Sequence, residues 1–209
     1  MLLRRRILEG GVAVAAGLGL SRLASAVALP PTPAQTAGPF YPLMLPADSD
    51  NDLVHIAGRD GTAKGTVAHI SGRILDRDGR PISGARVEIW QCDANGHYHY
   101  VRDDRSGSPP DENFQGYGQT LTDTSGSYGF RTIRPVPYPG RTPHIHFAVA
   151  APGFPRFITQ MYVAGERQNE HDSVLMSVRD PAARARLIVP LQPAPEPDAL
   201  AGTFDIVLG

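Results

Sequence analysis

Turn-forming residues interrupt this chain so often that long helices have little room between them. Gly 22 and Pro 20 make up about a fifth of the 209 residues, well above ordinary usage, and this favours short strands joined by turns. The length fits one domain, with or without tails. Between the turns the period is two. Val67–Leu75 alternates as a strand, the turn at residues 76–79 follows, and residues 85–91 form a second strand, so the two read as a hairpin. Asp123-Thr124-Ser125-Gly126 separates strands at 119–122 and 128–132; His144–Ala150, Phe157–Val163 and residues 203–208 complete the set. The expectation is an all-β sandwich of mostly antiparallel strands over residues 66–209, with an extended N-terminal arm and at most one or two short helices. Residues 180–187 (Asp-Pro-Ala-Ala-Arg-Ala-Arg-Leu) hold an N-cap, a first-turn proline and helix formers, and one short helix is expected there.

The first 26 residues read as an export address. Arg4-Arg5-Arg6 supplies a twin-arginine run, residues 10–20 are small and apolar, and Ala24-Ser25-Ala26 forms an A-x-A cleavage site. The apolar stretch is about half the ~20 residues needed to span a bilayer, so no stable membrane anchor is expected. The address implies export by the twin-arginine route to the periplasm or beyond. That route carries folded proteins, which suits a chain that takes up a metal first. The formal net charge is −1; removal of Arg4, Arg5, Arg6, Arg22 and Glu9 with the signal would leave −4. With no basic run, nucleic acid is not an expected partner. Residues 27–65, rich in Pro, Ala, Asp and Gly, read as an extended arm that wraps over the core or could equally cover a neighbour in a homo-oligomer. Within the arm, residues 35–42 (Gln-Thr-Ala-Gly-Pro-Phe-Tyr-Pro) place the aromatic pair Phe40 and Tyr41 between prolines, an anchor for the arm.

Cys92 is the one cysteine, which excludes an internal disulfide and any thiolate-rich metal cluster. A metal here takes nitrogen and oxygen ligands; Cys92 itself reads as a small buried hydrophobe. His144 and His146 lie two apart on a strand, so their imidazoles share a face and can grip one ion. A second H-x-H, His97-Tyr98-His99, follows the turn residues Asp93-Ala94-Asn95-Gly96, and there the histidines point away from Tyr98. His97 and His99 read as solvated loop residues, but the residues alone do not choose between the two pairs. Tyr138 sits in Pro137-Tyr138-Pro139-Gly140, where prolines stiffen the backbone ahead of His144. A rigid loop is a good ligand scaffold, but spacing alone favours a packing tyrosine in a proline-rich turn.

These blocks, in this order, resemble the intradiol ring-cleavage dioxygenases, the protocatechuate 3,4-dioxygenase group in particular. The resemblance runs from about Gln35 to the C-terminus. It rests on residues 35–42, on Val87-Glu88-Ile89-Trp90-Gln91 with Gly96-His97-Tyr98, on residues 130–139, and on Arg141-Thr142-Pro143-His144-Ile145-His146-Phe147 with Gln160 downstream. It implies a non-haem Fe(III) held by Tyr98, Tyr138, His144 and His146, a small aromatic diol as substrate and O2 as co-substrate. It also implies that Arg141 stabilises developing negative charge, that Gln160 orients the substrate, and that Tyr138 leaves the metal to accept a substrate proton while Tyr98 stays. A bound trivalent cation would keep both phenols ionised although a free phenol titrates near pH ~10. The product would be a cis,cis-muconate-type diacid.

Two features depart from the pattern. Only five residues separate Tyr138 from His144, fewer than in the protocatechuate enzymes, and an export signal is unusual in central aromatic catabolism. The segment from Ser71 through Ala85, with Thr122-Asp123 and residues 126–130, also resembles the transthyretin-like and carboxypeptidase-regulatory sandwiches, often non-catalytic binding modules. Such a module would have no need of a Tyr-Pro turn ahead of H-x-H.

Overall fold

The structure, a computed structural model, describes residues 28–100 and 108–209. The export signal expected in residues 1–26 therefore lies outside the described residues. Strand β1 (Val67–Leu75) forms where the sequence alternates, and it is the spine of the first sheet. It is followed by β2 (Arg86–Trp90), β3 (Tyr117–Leu121), β4 (Ser127–Ile133), β5 (His144–Ala150) and β6 (Phe157–Val163). Two short helices come next, α1 (Ser173–Met176) and α2 (Pro181–Ala185), and then β7 (Ile188–Val189), β8 (Gln192–Pro193), β9 (Leu200–Thr203) and β10 (Ile206–Val207). In the first sheet β1 pairs antiparallel with β4 on one flank and parallel with β9 and then β10 on the other, while β8 joins β9. The second sheet runs β3-β2-β5-β6-β7. Antiparallel pairs predominate, as expected for a sandwich.

The expected hairpin between the first two strands does not form. The turn closes, with Gly79 N donating to Asp76 O and Ile82 N to Ile74 O, but the chain then crosses and β2 pairs with β3 and β5. Both hydrogen-bonding flanks of β1 are already taken by β4 and by β9 and β10, so β2 finds no free edge there. The single C-terminal strand expected at 203–208 is also divided. Asp205 interrupts it and uses its carboxylate to accept from Arg73 N at 2.8 Å. The helix expected at 180–187 is α2, capped by Asp180, whose carboxylate accepts from Ala182 N and Ala183 N. A second helix, α1, has the same device in Asp172.

The core lies between the sheets. Ile70 and Ile74 of β1 and Phe130 of β4 meet Val87 and Ile89 of β2, with Ile145, Phe147 and Val149 of β5. Each such side chain removed from water contributes roughly 1.5–3 kcal/mol before the entropy of ordering is charged against it. Alternation then sends His144, His146, Glu88 and Trp90 to the opposite, outer face of the second sheet. That face is not wet: β5 is buried through both faces, with only Ala150 partly exposed. The cover is the arm. Gln35 N donates to Ile158 O of the second sheet, while Thr32 N donates to Val207 O and Leu53 N to Arg131 O, beside a parallel bridge between Asp52 and Arg131, and these hold the arm to the first sheet. The expected anchor holds, since Phe40 and Tyr41 pack on the outer face through Tyr98 and Trp90.

Candidate metal centre

Three short segments meet on that outer face. From β5 come His144 and His146, whose Nε2 atoms lie 3.2 Å apart. His144 Nδ1 lies 2.7 Å from Thr142 O and donates to it, which leaves the lone pair on Nε2 directed into the site. His146 is oriented differently. Its ring lies parallel to Trp90 at 4.8 Å and 8°, and its Nδ1 finds no hydrogen-bond partner among the described residues. Burial, with Arg141 nearby, pushes His144 down to about 4, and burial, His144 and Arg141 hold His146 well below the usual histidine range. Both rings are neutral at pH 7, the form that binds a metal.

The phenols arrive from loops. Beyond β2, Asp93 N donates to His97 O and Gly96 N to Asp93 O, with Gly96 at φ 85°, a turn that delivers Tyr98. In the second loop Arg141 N donates to Tyr138 O at 2.9 Å and Gly140 adopts φ 80°, so the residues around Tyr138 close on themselves just before β5. Tyr138 Oη lies 3.5 Å from His144 Nε2. The Tyr98 ring stands 5.8 Å from that of Tyr138 and 6.2 Å from that of His146, edge-on to both. Phe40 is stacked on Tyr98 at 4.5 Å and 11°, and it closes the site from the arm side. Burial, together with Tyr138, drives the Tyr98 phenol well above its ordinary value.

Donor atoms each about 2.1 Å from a shared ion stand about 3.0–3.4 Å apart, close to the separations found here. Among the described residues no cluster of three or more His, Cys, Asp or Glu could hold a metal, and the further donors nearest His144 and His146 include the Tyr138 phenol. The residues fit a hard trivalent ion with imidazole and phenolate ligands.

Arg141 lies beside Tyr138, and Gln160 lies beside β5. Arg141 Nη1 approaches Tyr138 Oη at 3.4 Å, Nε donates to Asp172 Oδ2 at 2.8 Å, and Nη2 donates to Gln160 Oε1 at 2.6 Å. Gln160 Nε2 donates to Thr36 O in the arm, and its oxygen also accepts from Tyr162 Oη at 3.0 Å. The amide thus ties Arg141 to the arm. Tyr162 Oη also meets Gln35 Oε1 at 2.6 Å, and Glu88 fastens the arm by accepting from Tyr41 Oη and pairing with Arg86 and Arg156. Asp172, Tyr162, Gln35 and Phe40 were not expected as site residues. Phe40 and Gln35 carried a signal, both lying in the block at residues 35–42.

One expectation needs correction. His97 and His99 are not solvated: His97 is buried with Nε2 bonded to Ser108 O, and His99 Nε2 pairs with Asp93 Oδ2 at 2.9 Å. They hold the loop around Tyr98 and do not face the proposed centre. Cys92 is buried as expected, with its thiol against Val136 O.

The family model described as Dioxygenase matches residues 36–209. The protocatechuate 3,4-dioxygenase beta chain of Burkholderia cepacia is 39% identical over 170 residues, covering 76% of this chain and 71% of that one. The hydroxyquinol 1,2-dioxygenase of Corynebacterium glutamicum is 32% identical over 168 residues, covering 71% of this chain but 52% of the other, so this chain spans about half its length. Among solved structures, the dioxygenase domain of a dioxygenase carbohydrate-binding fusion protein from the cellulolytic bacterium Streptomyces sp. SirexAA-E superimposes with a TM-score of 0.65 at 32% identity, covering 86% of this chain and 98% of that domain. With the matching model spanning the sandwich, the site and the arm from Thr36 onward, this chain belongs to the intradiol ring-cleavage dioxygenase family.

Proposed function

We propose that the chain is a non-haem Fe(III) enzyme that opens a catechol-type ring between its two hydroxyls, placing both atoms of O2 in a cis,cis-muconate-type diacid. The observation that carries this reading is the convergence of two neutral imidazole Nε2 atoms, 3.2 Å apart, with Tyr138 Oη 3.5 Å from one of them, under an aromatic cover. Tyr98, Tyr138, His144 and His146 would hold the ion. Bound there, Fe(III) supplies Lewis acidity, which keeps the phenols ionised and activates the organic diol toward O2.

The chain's own groups do the rest. Thr142 O fixes the His144 tautomer. Tyr138 stands beside the Arg141 cation and is the phenol placed to take a substrate proton at Oη. Burial opposes the charge on Arg141, but Asp172 and the neighbouring phenols outweigh it, so Arg141 stays cationic and can stabilise negative charge as it develops. Tyr98, clamped beneath Phe40, has less freedom to leave. The relatives named for protocatechuate and hydroxyquinol cleavage support a small aromatic diol as substrate. The twin-arginine pattern at Arg4-Arg5-Arg6, with Ala24-Ser25-Ala26, supports action outside the cytoplasm.

The test begins with colour. Purified protein loaded with iron should be red-brown from phenolate-to-Fe(III) charge transfer, and Tyr98→Phe should alter or abolish that band. A colourless, fully loaded protein sinks the reading. Catechol or a substituted catechol under O2 should give the ring-opened diacid; a semialdehyde product would mean cleavage outside the hydroxyl pair.

A further inference from the structure

Arg141 is a long side chain with several rotamers, and an unrestrained guanidinium would not stay aimed at one phenol. Two groups restrain it, each through a different guanidinium nitrogen. Gln160 accepts from Nη2, while Asp172 Oδ2 accepts from Nε at 2.8 Å and from Thr142 N at 3.0 Å. The other carboxylate oxygen, Oδ1, accepts from Val174 N and Leu175 N, both at 3.0 Å, and so caps α1. The Asp172 side chain is fully buried, and all four bonds converge on its two oxygens. Beside the pair lies a cavity of about 150 Å³ lined by Gly140, Arg141, Thr142, Gln168, His171 and Asp172. Without the carboxylate, the guanidinium has room to swing there, away from Tyr138.

We infer that Asp172 is a positioning residue for the reaction: it clamps Arg141 so that Nη1 stays at Tyr138 Oη, and it anchors that aim on α1. This rests on the roles given above to Arg141 and Tyr138. Asp172 touches neither substrate nor metal in this account, and its effect passes through Arg141.

The decisive variant is Asp172→Ser, since serine keeps a short oxygen to cap α1 but cannot reach Arg141 as a charged acceptor. In the iron-loaded full chain, kcat should fall on the order of 100-fold, the scale of a group displaced by about an ångström, while KM moves less than about threefold. In an Arg141→Ala background the same change should cost nothing further, because the group it aims is gone. Equal losses in both backgrounds would overturn the inference, as a merely structural role predicts them.

A second readout needs neither iron nor activity. The Arg141 Nε–H resonance, assigned by its loss in Arg141→Lys, should be observable and slow to exchange in the wild type and lost in Asp172→Ser. An unchanged resonance in the variant overturns the inference. If the wild type carries iron but opens no ring, the proposed function fails, and the resonance still decides whether Asp172 holds Arg141. Should Asp172→Ser not fold, Asp172→Asn takes its place in the same cycle. If neither variant folds, the role of Asp172 is structural and the inference is overturned.

Discussion

Asp93 is the buried group on which the loop carrying Tyr98 depends, and its replacement tests how that loop is held. Oδ1 accepts from Asn95 N at 2.8 Å and His97 N at 2.9 Å; Oδ2 accepts from Asp111 N at 2.6 Å and from His99 Nε2 at 2.9 Å. Burial pushes the carboxyl toward the neutral form, but hydrogen bonds from His99, Asp111, His97 and Asn95 outweigh it and bring its pKa from 3.8 down to about 2. That difference favours the folded, ionised state by about 2.5 kcal/mol at neutral pH. Because the folded value is the lower one, this stability is complete well above pH ~4 and is lost as the pH falls toward ~2.

Asp93→Asn keeps one acceptor oxygen for Asn95 N and His97 N, but it turns an NH2 toward Asp111 N–H, where two donors then face each other. The cost at pH 7 should be about 2–3 kcal/mol, or a fall in Tm of about 5–10 °C for a chain of this size. Urea unfolding at pH 7 and at pH 3 separates the contributions. The wild type should lose about 1 kcal/mol more than the variant over that interval, because the titrating carboxyl is absent from the variant. An Asn variant that matches the wild type at pH 7 and shows the same acid slope would refute the argument.

Two further outcomes follow from packing. A Cβ on Gly72 would lie 2.1 Å from Phe204 O and 2.9 Å from Tyr128 Oη, so Gly72→Ala should destabilise by more than about 3 kcal/mol, and a loss below about 1 kcal/mol in urea would contradict the close approach. His97→Ala removes the bond to Ser108 O and should lower Tm, yet it should leave iron stoichiometry unchanged, as metal analysis would show; lost iron would move the centre to the other H-x-H pair.

How legible the fold was in the sequence depended on the range of the signal. Strands with several residues of alternation, such as Val67–Leu75 and His144–Ala150, were readable because period two is a local property. Two-residue strands such as Ile188–Val189 carry no period at all. The β1 to β2 hairpin failed for a tertiary reason: which edge is free depends on β9 and β10, more than a hundred residues downstream. At the site, spacing alone gave His144 and His146 as a same-face pair, while the tyrosines came from the family resemblance. Asp172 lies 31 residues from Arg141 and Gln35 lies 127 from Tyr162, and no local pattern announces such contacts.

The arm explains why the first half of the chain read equally well as a binding module. The sandwich closes its own core with residues that any such fold could supply, and what it leaves on the outer face of the second sheet is chemically unusual: two neutral imidazoles on β5 beside an indole and a carboxylate on β2. Left in water, those imidazoles would titrate near their ordinary values and a metal between them would be open to solvent. Burial is the first cause of the depressed histidines and the raised Tyr98 phenol. Phe40 and Tyr41 contribute to that burial, and their places are fixed by Gln35 on Tyr162 and by Tyr41 on Glu88. Sandwich grammar therefore sets the fold, while the cover over its outer face keeps His144, His146 and Tyr98 buried, and a change confined to the arm should alter the proposed centre without disturbing the core between the sheets.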